Sequence, residues 1–274
     1  MQKKTKGTKG LFTFKRKYLC IPYFLFLVLF IIIPIVIIIG YAFTDANGGF
    51  SFDAFKNFFT SSAKLRVLVT SVFVALQTTL LCLLIGYPLA YFLANKKYNK
   101  NKVLFTLFIA PMWINFVLRT GATRDLLTWI YGCFDTNTGN LPYLSTLVGM
   151  VQNYLPFVIL PLYTTMLHLD KSQIEAAADL GCNPAQVFFK SILPQSVPGI
   201  ISACTMTFMP TMSSYVISDT LAEGKIALFG NYINLEFTNK AWNDGSFMAL
   251  IMLVIMGLTM LLTRNKEETR GQNL

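Results

Sequence analysis

The chain has 274 residues, of which 54% are apolar and 13% charged, with a formal net charge of +10. Soluble domains carry roughly 25% charged residues, so this composition excludes an ordinary soluble enzyme. The charges also cluster, leaving uncharged runs at 18–44, 67–95, 103–118, 136–169, 191–218 and 245–263. A helix needs about 20 apolar residues to cross a bilayer, and in lipid the backbone must satisfy its own hydrogen bonds. The expected fold is therefore all-α and integral to the membrane, with six transmembrane helices.

A basic segment, 1–17, precedes the first span, Tyr18–Phe43, which contains Pro22 and Pro34. "MQKKTKGTKG" reads as an anchor on an anionic lipid leaflet rather than a nucleic-acid site. The first span is too long for a cleaved signal peptide, and no small-residue cleavage site follows it. "DANGGFSFDAFKNFF" then predicts a turn and a short amphipathic piece. The second span is Val67–Ala94, followed by the basic loop "NKKYNKNK". The third, Val103–Leu118, is slightly short, and the Arg119 that ends it could snorkel to the interface. On this reading no charged residue lies deep in any span. Segment 119–144 is external, and its apolar patch "LLTWIYGCF" is too short to cross. The fourth span is Leu144–His168, the fifth Val197–Ser218 and the sixth Ser246–Thr263. The spans form one domain, 18–263, and 264–274 is a solvated tail.

Orientation follows from lysine and arginine. With a cytoplasmic N-terminus, the inner segments hold 16 of the 23 basic residues and the outer segments 7. Basic residues favour the cytoplasmic side, so both termini and the 170–194 loop are expected there. The cysteines are Cys20, Cys82, Cys133, Cys182 and Cys204. Only Cys133 falls outside, so no disulfide is expected, and no Cys/His spacing suggests a metal. No cofactor is implied. There is no GxxxxGK[ST] loop, so ATP hydrolysis cannot reside in this chain.

Between the fourth and fifth spans the chain reads "EAAADLGCNPAQVFFKSILP". Ser172 three residues before Glu175 is a capping-box pattern that would start a helix at Gln173. Gly181 is a natural residue to end it. Asn183 then Pro184 reads as an N-cap and first helical residue of a second helix, which Pro194 would close. Two short helices joined at Gly181 make a stiff element. Ala176, Ala177 and Ala178 leave one surface open to close approach.

This pattern resembles the EAA motif of permease subunits of ABC importers. Glu175, Ala176, Ala177, Gly181, Leu193 and Pro194 match; Ser191 stands where that motif has an apolar residue. The resemblance implies a type I permease fold, with this loop docking as a coupling helix on a cytoplasmic ATPase. "APMWINFVLRT" is similar to PotB-type permeases of spermidine/putrescine importers at Pro111, Trp113, Phe116, Arg119 and Thr120. Leu228, Gly230 and Asn231 fit a later segment of that family. The implied partners are a second, PotC-type permease, two copies of the ATPase and an extracytoplasmic binding protein. The implied location is the bacterial plasma membrane.

A polycation needs carboxylates and aromatic faces. The outer segments carry eight acids against seven bases. The candidate pathway residues are Trp113 and Asn115 in span 3, Asn153 and Tyr154 in span 4, Thr207, Thr211 and Ser214 in span 5, and Asp219 and Glu223 beyond it. Sister importers for iron, thiamine or sulfate share the architecture. A secondary transporter would need ionisable groups near the midplane, and a membrane enzyme would need a catalytic cluster at one depth. Neither pattern is legible.

Overall fold

The computed structural model describes residues 20–45, 48–95, 103–133 and 140–271, with side chains omitted at 262 and beyond 263. The basic segment 1–17, the basic loop 96–102 and Asp135 lie outside the described residues.

The described residues are helical, apart from turns and a single bridge between Thr44 and Phe50. Helix α1 (Cys20–Leu27), a π turn (Val28–Ile32) and α2 (Ile33–Ala42) form one apolar rod of 23 residues. The short amphipathic α3 (Asp53–Thr60) buries Ala54 and Phe58. Next come α4 (Ser62–Ala94), α5 (Val103–Ile109) with a 3-10 turn (Ala110–Trp113), and α6 (Phe116–Gly132). α7 (Pro142–Leu167) precedes α8 (Lys171–Asp179) and α9 (Pro184–Val187). A π turn (Phe188–Ile192) leads into α10 (Leu193–Ser213), and α11 (Val216–Leu221), α12 (Phe229–Thr238) and α13 (Trp242–Gly271) complete the chain.

Among the described residues, five helical stretches are long and apolar enough to cross a membrane. A sixth is broken: Val103–Trp113 and Phe116–Gly132 meet at 99°. The described residues thus hold five spans, or the expected six with this bent pair taken as one, and the third differs in kind. Of "LLTWIYGCF", Leu126–Gly132 form the end of the second helix of this bent pair. The fifth span also ends earlier than expected, at Ser213.

Both π turns have the same physical cause. Proline lacks an N–H, and its ring strikes the carbonyl four residues back. Pro34 and Pro194 each lie two residues beyond a π turn. There the N–H of Ile33 reaches Val28 and that of Leu193 reaches Phe188, five residues back. The wider turn accommodates the ring. Pro194 therefore does not close the second short helix. The helix runs on from Pro184 to Ser213.

α7 is central, packed by α4 and α10. Met150, Val158, Ile159 and Leu162 of α7 are buried against Val74 and Cys82 of α4 and Ala203 of α10. Glycines set the spacing at two crossings. A Cβ on Gly86 would lie 2.8 Å from Val158 Cγ1, and one on Gly199 would lie 2.5 Å from Thr165 Oγ1. Without a hydrophobic drive between helices in lipid, such close packing is a main source of cohesion. A smaller cluster of Ala42, Ala54, Phe58, Val67, Phe229, Phe247 and Met248 ties α2, α3, α4, α12 and α13 together.

The Leu228–Asn231 motif has a mechanical reason. Asn231 Oδ1 accepts from Leu228 N at 3.0 Å and from Ser218 Oγ at 2.8 Å, while its Nδ2 donates to Tyr215 O at 3.3 Å. Phe229 N donates to Ser71 Oγ at 2.7 Å. This network pins α12 against the break after α10. A Cβ on Gly230 would stand 2.4 Å from the backbone oxygen of Ser213. Gly230→Ala is expected to lower stability by about 2 kcal/mol, within the range for overpacked sites. Thermal melting of the purified protein in detergent checks this.

Candidate functional site: an exposed helical hairpin and a buried arginine

Helix α8 begins at Lys171, two residues before the Gln173 expected from Ser172. Asp170 is the N-cap: its Oδ1 accepts from Ser172 N at 2.9 Å and from Ser172 Oγ at 2.6 Å. The Ser172 hydrogen bonds hold the Asp170 carboxyl below the usual carboxylate range. An aspartate can use its charge on the first turn's free N–H groups, and so it displaces the weaker serine cap.

The helix ends at a left-handed Gly181, φ +83°. Cys182 N donates to Ala177 O at 3.2 Å and Gly181 N to Ala178 O at 2.9 Å, the reciprocal pattern that closes a helix on glycine. Asn183 and Gln186 then cap α9 mutually, at 2.8 and 3.0 Å. The turn thus satisfies its own backbone groups, which makes the hairpin stiff.

Its anchor is polar. Gln195 Oε1 accepts from Asp170 N at 2.8 Å, and Gln195 Nε2 donates to Ser191 Oγ at 3.3 Å. Ser191 is buried, so the residue that departs from the EAA pattern is held by this hydrogen bond instead of by apolar packing. Leu193 and Pro194 form the start of α10. α8 packs chiefly on α9 and the π turn. Glu175, Ala176 and Leu180 face outward, and Leu180 is 86% exposed. Leu180 was not singled out from sequence. An exposed leucine beside a turn glycine is visible only once the helix phase is known.

The second feature lies inside the bundle. Asn115 caps α6, its Oδ1 accepting from Val117 N at 2.9 Å and Leu118 N at 3.4 Å. Arg119 follows in the first turn and is only 7% exposed. It does not snorkel to an interface. Its Nε donates to Asn153 Oδ1 at 2.7 Å, Nη2 to Asn153 O at 3.1 Å and Nη1 to Pro111 O at 2.8 Å. Asn153 Nδ2 donates to Gly149 O at 2.8 Å. Asn153 lies about 16 Å along α7 from Pro142, at ~1.5 Å per residue, which is near mid-span. The expectation of no deep charge is therefore corrected. The bend carries Arg119 back into the bundle, where a straight span would have placed it at the edge.

The other pathway candidates separate into two groups. Asn153, Tyr154, Thr207, Thr211 and Ser214 are buried within this chain. Tyr154 donates its hydroxyl hydrogen to Pro210 O at 3.2 Å, and Thr211 donates to Thr207 O at 2.7 Å. Thr207 Oγ1 is buried with no hydrogen-bond partner. Trp113 is 79% exposed, and Asn115, Asp219 and Glu223 are exposed too. Two acids of the outer segments are paired: Lys64 Nζ lies 2.8 Å from Asp244 Oδ2 and 3.0 Å from Glu236 Oε1.

A multi-pass helical protein with a broken third span and an exposed hairpin at one end of the bundle is a membrane permease in form. The chain belongs to the family of binding-protein-dependent transport system inner membrane components, whose pattern matches residues 11–265. It is 33% identical to the spermidine/putrescine transport system permease protein PotB of Escherichia coli K12, over 86% of this chain and 91% of that one. The PotB protein of Haemophilus influenzae is 32% identical, over 86% of this chain and 88% of that one. A PotB homolog of Mycoplasma genitalium is 31% identical, over 80% of this chain and 79% of that one. The fold is shared with a crystal structure of a bacterial ABC transporter involved in the import of the acidic polysaccharide alginate. That match has a TM-score of 0.61 at 18% identity and covers 91% of this chain and 94% of that one. The chain is thus an ABC importer permease, a multi-pass protein of the plasma membrane that works with a partner permease, an ATPase and a binding protein.

Proposed function

We propose that this permease imports polyamines and couples to its ATPase through the 170–194 hairpin. The observation that carries the substrate is its 33% identity to a spermidine/putrescine permease over nearly the whole length of both chains. The partner permease is a distinct PotC-type subunit, and two ATPase copies serve the pair. Both termini and the hairpin face the cytoplasm, in keeping with the basic residues at 1–17, 96–102 and 264–270. Leu180 and the small face at Ala176 and Ala177 enter the ATPase groove. Glu175 and Gly181 shape that face, and Leu193 and Pro194 join it rigidly to α10. The hairpin's internal caps supply the stiffness that transmission requires.

On the transport side, Trp113 offers a π face and Asp219 and Glu223 offer carboxylates to substrate released from the binding protein. Asn153, Tyr154, Thr207, Thr211 and Ser214 form the fixed wall behind them, and Asn115 sets the bend. One experiment tests docking and orientation together. A cysteine at Leu180, introduced with Cys133 and Cys182 replaced by Ser, should cross-link to the ATPase in inverted vesicles. It should resist an impermeant thiol reagent applied to intact cells. Labelling from outside, or an ATPase that co-purifies without the hairpin, contradicts the assignment.

A further inference from the structure

Breaking a membrane helix exposes backbone carbonyls, and unwound carbonyls at broken spans are where transporters coordinate cations. Here three oxygens converge beside the break in the third span: Pro111 O from the broken span, which also accepts from Ile114 N, and Asn153 O and Oδ1 from the facing α7, at 2.7–3.1 Å from one guanidinium. All three are neutral. Among the described residues, no carboxylate stands within ion-pair distance of Arg119. An arginine cannot shed its charge in a protein, and burying an ion costs several kcal/mol. Holding two helices together does not require that expense, because an apolar side chain could pack the same junction. The arrangement is a cation site, and the protein's own side chain fills it.

We propose that Arg119 is a resident cation that occupies the carbonyl cage at the break and so denies it to the amines of the substrate. The inference rests on the polyamine reading. Trp113, two residues beyond Pro111, is 79% exposed, and on the polyamine reading it brings a passing polyamine close to the cage. Passage requires binding weak enough to allow exit. An open cage at mid-span would trap an ammonium group, whereas one already filled lets it pass. Arg119 is thereby a specificity-determining residue that never needs to touch substrate.

The test uses the whole assembly, permease pair with ATPase, carrying Arg119→Gln or Arg119→Lys. Uptake of tritiated spermidine is measured in cells, and retained label on the purified complex without binding protein. Glutamine keeps a donor and drops the charge. Uptake should fall about tenfold or more, the scale of hydrogen bonds to a charged group, while retained spermidine rises by a similar factor. Lysine keeps the cation, so uptake should stay within a few-fold of wild type with no retained label. Wild-type uptake by the glutamine variant, or lost uptake without retention, overturns the proposal. If the glutamine variant does not accumulate, the lysine variant decides: uptake lost at normal protein level overturns it, and uptake kept upholds it. A wild-type assembly that takes up no polyamine defeats the substrate reading instead.

Discussion

Replacing Gly181 with valine is expected to stop transport and leave the permease inserted. The residue sits at φ +83°, a region open to glycine and costly for a β-branched side chain. The local penalty is about 1–3 kcal/mol. The spans are packed elsewhere, on α4, α7 and α10, so that penalty does not unfold the bundle. It falls on the hairpin. A Cβ there meets no atom within 4 Å, which makes the fault one of backbone conformation and not of crowding. Opening the turn would relieve it, swinging α8 away from α9, so that on the proposed docking Leu180 would no longer present to the ATPase. Uptake, membrane protein level and ATPase co-purification separate the effects. Uptake and co-purification fall together, and protein level holds. A variant that transports normally with the ATPase bound would make Gly181 a replaceable helix stop.

The second large effect is on stability. Asn153→Leu removes the Oδ1 acceptor from Arg119 and the donor to Gly149 O. The guanidinium remains buried with one fewer oxygen. Removing a hydrogen bond to a buried charge costs about 1.5–3 kcal/mol, a sizeable share of a typical net stability of about 5–15 kcal/mol. The variant should melt well below wild type in detergent and accumulate poorly. Adding Arg119→Met removes the stranded charge, so the double variant should recover much of the lost stability, though not transport. A single variant within about 0.5 kcal/mol of wild type, the scale of neutral surface changes, would show that Asn153 does not hold the arginine.

Much of the fold was legible because long apolar runs leave few alternatives in lipid. The hairpin was legible for a related reason: Gly181 and Asn183–Pro184 act through local backbone chemistry. What escaped was tertiary. Asp170 displaced Ser172 as the cap, two residues before the position the capping-box pattern marks. Pro194 reads as a stop, yet a π turn carries the helix past it. The third span looked like a short run ended by a charge. Its bend at Ile114–Asn115 depends on Asn115 capping α6 and on Asn153, 34 positions from Arg119, supplying acceptors. The signal was present in "NFVLRT", where an N-cap residue precedes an arginine in the middle of apolar sequence. Similarly, Lys64, Glu236 and Asp244 stand in three separate segments, and no spacing rule joins them.

The central claim is that this chain forms half of an ATP-driven polyamine pathway. The direct measurement is uptake of radiolabelled putrescine, spermidine, sulfate and thiamine by cells expressing the full assembly, with and without an intact ATPase. The account predicts uptake of one or both polyamines, saturable and lost when the ATPase is inactivated, with sulfate and thiamine at background. Polyamine uptake at background beside ATP-dependent uptake of another solute would contradict it.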